Sequence, residues 1–161
     1  MNPDINVEVK RSSRRHKTVE ARLVDGTLRI AIPSWMSATE EAHWVEVMHQ
    51  RFSRRSGSDQ IDLPARAAGL ATRFGLPEPA AIAWSSRQTA RWGSCTIESR
   101  RVRISDRLAG FPGWVIDYVI VHELAHLLES SHTPRFWDIV NRYPLAERAR
   151  GYLLARAELG D

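Results

Sequence analysis

The chain has 161 residues, of which 43% are hydrophobic and 26% are charged, and its net charge is +4. This size and composition indicate one folded domain, residues 1–161, with a hydrophobic core, and they exclude a disordered chain. The single cysteine, Cys95, excludes an internal disulfide and a zinc site built from cysteines alone.

The sequence carries no pattern of export or of membrane insertion. Residues 1–10, MNPDINVEVK, contain no apolar run of signal-peptide length. The most apolar stretch, residues 114–128, is interrupted by Asp117 and by the polar motif described below, so it lacks the roughly 18 uncharged apolar residues that a membrane span needs. We therefore expect a cytoplasmic protein with no membrane partner.

Residues 1–35 are predicted to form a β-meander, in which consecutive strands pair. Hydrophobic and polar residues alternate in three short runs within residues 5–32, which is the pattern of half-buried strands. Asp25-Gly26 joins the second run to the third with the residue types of a tight hairpin turn. The loop between the first two strands carries the basic sequence RSSRR, residues 11–15.

Residues 37–84 are predicted to be a helical and linking part. Ser37 and Glu40 match a capping box, in which each side chain bonds the other residue's backbone N–H, and they start an amphipathic helix. This helix is expected to end at about Arg55, because the Ser-Gly-Ser sequence of residues 56–58 favours a break. The other elements predicted here are a helix at residues 63–74 and a strand at residues 80–84.

Residues 85–161 are predicted to form the catalytic core. Apolar periodicity and capping residues indicate one strand and three helices. They are a strand at residues 101–105, a helix from residue 113 to about 128, a helix from residue 134 to about 143, and a helix after Pro144 to about residue 159. The sequence therefore predicts an α+β fold in which a small sheet packs on helices.

Basic residues are concentrated in the first two thirds of the chain. Residues 1–107 contain 18 basic and 12 acidic residues, whereas residues 108–161 contain 5 and 7. Arginine dominates, with 21 copies against 2 of lysine. Such a bias produces either an ordinary solvated face or a surface for nucleic acid, nucleotides or acidic peptides, and both interpretations are open here.

The motif that carries chemistry is HELAH at residues 122–126. His122 and His126 are four residues apart on a predicted helix, so both imidazoles can bind one metal ion, for which zinc is the usual choice. Glu123 can reach a metal-bound water without being a ligand, which is the place of a general base. Because the surrounding residues are mostly apolar, the helix is expected to be buried, and a metal site explains buried polar residues better than hydrogen-bonded core histidines do.

A zinc site that hydrolyses a substrate needs a third protein ligand. His132 is the prediction, since the helix can end between His126 and His132 and let the chain return. The spacing equals that of the metzincin motif, although Glu129 stands where those proteins have glycine and no methionine follows. The alternative third ligands are Glu129, Glu147 and Glu158.

A second motif, RWGSC, occupies residues 91–95. It either forms a tight turn with a structural cysteine or presents Arg91, Ser94 or Cys95 to the cleft. In the second case Arg91 can hold a substrate carbonyl or phosphate through its guanidinium. The candidate substrate-binding residues are Arg91, Ser94 and Tyr143, the last as a hydroxyl for the developing oxyanion.

These motifs resemble the YgjP-like metallopeptidase domain family, which is related to the SprT-like and WLM zincins. The resemblance extends over about residues 7–148 and is most specific in RWGSC and in residues 115–137, with RSSRR at residues 11–15 as a further signature. It implies a zincin-like fold with a buried HExxH helix and a Zn²⁺ cofactor. It also implies that His122, His126 and His132 are the ligands and that Glu123 is the catalytic base.

The leading hypothesis is a zinc-dependent metallopeptidase in which a zinc-activated water attacks a peptide or protein substrate. Some YgjP-like proteins are associated with a UTP pyrophosphatase activity, so a nucleotide is the alternative substrate, with arginines on its phosphates. The SprT-like and WLM relatives suggest a DNA-associated protease whose basic N-terminal half binds nucleic acid. The complete motif with Glu123 argues against a non-catalytic zinc module.

Overall fold

The structure is a computed structural model that describes residues 5–158. It has the predicted mixed α+β composition, with two small sheets and five α-helices in the described residues. The chain divides into two compact units, of which the first ends at Gly57 and the second begins at Ser58. The predicted single domain in three parts stays a prediction. Within the described range, no helix is both long and apolar enough to cross a membrane.

The first unit contains a three-stranded sheet of β1 Asn6–Ser12, β2 Glu20–Val24 and β3 Thr27–Pro33. The hairpin of β2 and β3 is confirmed, and both turn residues have positive φ, 49° at Asp25 and 76° at Gly26. The predicted meander is wrong, however, because β1 pairs in parallel with β3 and the strand order is β1-β3-β2.

The central position of β3 follows from its side chains. Leu28, Ile30 and Ile32 are fully buried, whereas β1 and β2 expose charged residues that an edge strand tolerates. Residues 13–19 between β1 and β2 are long enough to cross one intervening strand, since neighbouring strands lie about 4.8 Å apart. The apolar strand therefore takes the centre and the two polar strands flank it.

Helix α1 spans Ala38–Asp59 and begins with the predicted capping box. Ser37 Oγ accepts a hydrogen bond from the Glu40 backbone N–H at 3.2 Å, and Glu40 Oε2 accepts one from the Ser37 N–H at 2.9 Å. The predicted break at residues 56–58 is wrong, because the helix continues through them. Glycine costs only about 1 kcal/mol in a helix. The buried Ser58, whose carbonyl accepts a hydrogen bond from Trp84 Nε1 at 3.0 Å, helps to offset that cost.

In the second unit, helix α2 spans Leu63–Phe74 as predicted. It is capped by Asp62, whose side chain accepts from the Ala65 N–H, and by Gly75 at φ 63°. The sheet of this unit has the order β4-β6-β5, with β4 parallel and β5 antiparallel to β6. Its strands are β4 Ala81–Ser85, β5 Gly93–Thr96 and β6 Arg101–Ser105.

Three helices complete the second unit, after a short 3₁₀ helix at Asp106–Gly110. They are α3 Gly113–Ala125, α4 Pro134–Val140 and α5 Ala146–Glu158. Thr133 caps α4, because its hydroxyl accepts a hydrogen bond from the Phe136 N–H at 3.3 Å. Helix α3 is buried on most of its circumference, and it ends three residues earlier than predicted.

The first turn of α3 is anchored by side chains from other elements. Arg66 of α2 donates to Asp117 Oδ1 at 2.5 Å and to the Gly113 carbonyl at 3.0 Å. Tyr143 donates its hydroxyl to the Trp114 carbonyl at 2.9 Å. These bonds fix one end of α3 and so set the position of the functional residues at its other end.

Candidate active site

Three histidines converge at the C-terminal end of α3. His122 lies in the last turn of the helix, His126 is its C-cap, and the loop before α4 returns His132 to the same place. One ring nitrogen of each histidine lies within 4.8 Å of the others, and His122 Nε2 and His132 Nε2 are 3.2 Å apart. Two ligands at 2.0–2.1 Å from a tetrahedral zinc would be about 3.3 Å apart, so this spacing suits a shared ion.

The protonation pattern of the histidines also suits a metal ion. His126 Nδ1 lies 3.2 Å from the Glu129 carbonyl, which can only accept, so the proton is on Nδ1 and the Nε2 lone pair is available. Burial, followed by the charges of His126 and His132, lowers the pKa of His122 to about 3. Neutral imidazole is the form that binds metals, and three imidazoles are a known ligand set of catalytic zinc.

Helix α4 packs its aromatic side chains against the three histidines. Phe136 is fully buried and stacks on His126 with ring centroids 4.5 Å apart. Trp137 stacks on His132 at 5.5 Å, with the two ring planes 21° apart. Because His132 lies in a loop, the stacking on Trp137 holds its imidazole in place.

Glu123 is buried and lies directly against strand β5. A Cβ atom added at Gly93 would be 2.5 Å from Glu123 Oε1 and 2.8 Å from its Cγ, so a larger residue at that position would displace the Glu123 side chain. Burial raises the pKa of Glu123 to about 8, and the positive charge of Arg91 opposes this effect. The RWGSC motif is therefore packed on the HExxH motif, and part of it is strand β5, which was not predicted.

The histidines and Glu123 open into one cavity of about 710 Å³. Arg91 and Ser94, predicted to bind substrate, line it, and Ser94 Oγ also accepts a hydrogen bond from Gln88 Nε2 at 2.5 Å. Cys95 lines the cavity as well but does not belong to the group of possible metal ligands. Burial, with the negative charges of Glu123 and Glu98, raises the pKa of the Cys95 thiol to about 11.

The structure places Tyr143 away from this cavity. Its ring is buried against Phe74 and its hydroxyl is used by the Trp114 carbonyl, which gives no support to a role in binding substrate. The tyrosine that lines the cavity is Tyr118, whose pKa burial raises to about 12. Tyr118 precedes His122 by four residues, so helical spacing alone places both on one face and could have predicted it. Arg150 of α5 also lines the cavity, and no local sequence signal points to it.

The alternative third ligands are used differently or lie elsewhere. Glu129 offers its backbone carbonyl to His126, and the Glu147 carboxylate pairs with Arg150 at 2.8 Å. Glu158 is exposed on the last turn of α5 and is outside the histidine group. The geometry therefore favours His132 over the three glutamates.

The mixed α+β fold brings three imidazoles and a buried carboxylate into one cavity, an arrangement typical of metal-dependent hydrolases. Residues 8–154 match the YgjP-like metallopeptidase domain, and the chain belongs to that family. The crystal structure of the metallopeptidase zymogen of Pyrococcus abyssi abylysin is similar in fold. Its TM-score is 0.52 and its sequence identity is 14%, over 58% of this chain and 93% of that chain. No match was found among curated proteins. The family implies a metal ion, and His122, His126 and His132 form a group that can hold one.

Proposed function

We propose that the protein is a zinc-dependent peptidase that hydrolyses peptide bonds, with Glu123 as the general base. The observation that carries this proposal is the placement of three convergent imidazoles and one buried carboxylate in a single cavity. Zinc is proposed because an all-histidine set of three with an open position is typical of catalytic zinc.

His122, His126 and His132 would hold the zinc ion, which supplies Lewis acidity that activates water and polarises the scissile carbonyl. Glu123 accepts the proton of the attacking water on a carboxylate oxygen and then donates it to the leaving nitrogen. Gly93 leaves the space in which this carboxylate lies. Tyr118 lines the same cavity and is the hydroxyl proposed to donate to the developing oxyanion.

Strand β5 supports a peptide as the substrate. It is one of the two edge strands of its sheet in the described residues, and Ser94 and Cys95 of this strand line the cavity. An extended peptide can add to such an edge through backbone hydrogen bonds. A substrate held there would lie beside the strand that contacts Glu123, so its backbone would pass close to the histidine group.

A nucleoside triphosphate is the second candidate substrate, because Arg91 and Arg150 both line the cavity. The DNA-associated alternative has less support from the first unit. Arg11 there pairs with Glu41 and bonds the carbonyls of Ser34 and Met36. Arg15 pairs with Glu20. These arginines of the RSSRR signature are therefore engaged in holding loops of their own unit.

The test is hydrolysis by the zinc-loaded protein with a peptide library and a nucleoside triphosphate panel, beside the variant Glu123→Gln. We expect peptide cleavage by the wild-type protein and a loss of at least 100-fold in the variant, since general acid–base catalysis contributes about 10²–10⁴. Metal content should be equal in both proteins. Equal turnover of zinc-loaded Glu123→Gln, or release of pyrophosphate without any peptide cleavage, would show that the proposal is wrong.

A further inference from the structure

Positively charged side chains outnumber negatively charged ones in the lining of the cavity. Arg91 and Arg150 contribute two positive charges, and among the residues that the structure describes, Glu123, which the proposed mechanism uses, is the only acidic one in the lining. The rest of the wall is polar or apolar, with Leu153, Leu154 and Ala157 of α5 on the apolar side. A cavity of this composition attracts a substrate group that is negatively charged.

Arg91 is an exposed cation without an ion pair among the described residues. It lies two residues before Gly93, which contacts the carboxylate of Glu123. Its positive charge also acts on Glu123, where it opposes the effect of burial on the pKa. A substrate side chain that binds Arg91 is therefore close to the scissile bond, at which Glu123 is the proposed general base.

Arg150 approaches the histidine group from α5. Its guanidinium lies 4.7 Å from the ring centroid of Trp137, which stacks on His132. It also pairs with Glu147 at 2.8 Å, and these two contacts fix its direction while the side chain stays 42% exposed. A planar guanidinium held in this way is suited to binding a carboxylate with two hydrogen bonds.

We propose that the cavity selects peptides with an acidic side chain next to the scissile bond, and that Arg91 and Arg150 are the residues that bind this carboxylate. The inference rests on the peptidase function proposed above and names its substrate class. Aspartate or glutamate is favoured over a neutral residue because two arginines from separate elements border the reacting groups. A basic substrate residue is disfavoured because the positive charges of Arg91 and Arg150 would repel it.

The experiment uses the zinc-loaded full chain and a mixed peptide library, with every cleaved bond identified by mass spectrometry. We expect aspartate and glutamate to be enriched at a position adjacent to the cleaved bond. For a pair of matched peptides that differ only by Glu and Gln at that position, kcat/KM should favour Glu by about 10-fold, as for a hydrogen bond to a charged group.

The variants Arg91→Gln and Arg150→Gln should each reduce the ratio of kcat/KM for the Glu peptide to kcat/KM for the Gln peptide to about 3-fold or less. Arg91→Glu should move the preference towards lysine, which a merely structural role of Arg91 does not explain. The matched control is Arg51→Gln, which removes an exposed arginine of α1 that does not line the cavity. This control should keep the wild-type preference.

The outcomes separate the two proposals. Peptide cleavage without acidic enrichment, or with enrichment that survives all the arginine substitutions, overturns the assignment of Arg91 and Arg150 and leaves the peptidase function standing. Cleavage of nucleoside triphosphates alone overturns the peptidase function and the peptide specificity together. Enrichment that is lost in the cavity variants and kept in Arg51→Gln supports both.

Discussion

The backbone of Gly93 lies against the carboxylate of Glu123, so closely that a Cβ atom at residue 93 would be 2.5 Å from Glu123 Oε1. The two residues belong to the RWGSC and HExxH motifs, which are 30 positions apart in sequence. Gly93 is not in the left-handed region, so its requirement is for space and not for an unusual backbone conformation. The glycine determines where the carboxylate of the proposed base can lie.

The variant Gly93→Ala should therefore disturb Glu123 without removing a metal ligand. We expect kcat to fall on the order of 100-fold, since a small misplacement of a catalytic group costs about this much. The affinity for zinc, measured by chelator competition, should stay within about 3-fold of wild type. The control is Gly69→Ala in α2, where an added Cβ meets no atom within 4 Å and should raise stability slightly. Wild-type turnover in Gly93→Ala would contradict the assigned role of Glu123.

The sequence predicts those site residues that interact with near neighbours in the chain, and it does not predict contacts between residues far apart in sequence. His122, Glu123 and His126 follow from helical spacing, because a regular helix fixes their relative directions. His132 depends on a loop, and its stacking on Trp137 of α4 is visible only in the structure. The contact of Gly93 with Glu123 joins a strand to a helix, and no local pattern encodes it.

The same limit applies to the fold. The hairpin at Asp25-Gly26 and the helix at residues 63–74 are local, and the sequence predicts both. The pairing of β1 with β3 is not local, since it depends on which strand buries the most apolar surface. Helix α1 continues past Gly57 because tertiary contacts override the weak preference of residues 56–58 for a break.

Tyr118 lines the cavity, whereas the hydroxyl of Tyr143 bonds the backbone of α3. Substituting each tyrosine by phenylalanine should therefore have different effects. Tyr118→Phe should lower kcat on the order of 100-fold if its hydroxyl donates to the oxyanion, with little change in the thermal midpoint. Tyr143→Phe removes the bond to the Trp114 carbonyl and should cost about 1 kcal/mol of stability, with turnover unchanged. Turnover assays and thermal unfolding of both variants check this, and the reverse pattern would restore Tyr143 as the oxyanion residue.

Trp137 is predicted to support zinc binding through His132. The variant Trp137→Leu removes the ring that stacks on this imidazole and should weaken zinc binding about 10–100-fold, as is typical when a residue that orients a metal ligand is lost. Chelator competition at fixed pH measures the affinity. Trp35→Leu is the control, because Trp35 belongs to the other unit and is 61% exposed. Equal zinc affinity in Trp137→Leu and wild type would show that the loop holds His132 without this ring.

The contact of Arg66 with the start of α3 is predicted to contribute to stability. Arg66→Gln removes charge-assisted bonds to Asp117 and to the Gly113 carbonyl, both partly buried, and should cost about 2 kcal/mol. Denaturant unfolding of Arg66→Gln, Asp117→Asn and the double variant measures the coupling between the two side chains. A coupling energy near zero would show that the carbonyl contact alone accounts for the loss.

Cys95 is predicted to be a slow nucleophile although it lines the cavity. Burial and two nearby carboxylates raise its pKa to about 11, so the thiol stays neutral at pH 8 and only becomes thiolate at strongly alkaline pH. Because thiolate is the reactive form and an ordinary cysteine has a pKa of about 8.5, alkylation by iodoacetamide at pH 8 should be roughly 100-fold slower than in the unfolded chain. The rate in the metal-free folded protein should rise with pH up to about 11, whereas the rate in urea should level off near pH 9. A folded-state rate equal to that in urea at pH 8 would show that the thiolate is stabilised in the cavity, and Cys95 would then qualify as a metal-binding or reactive residue.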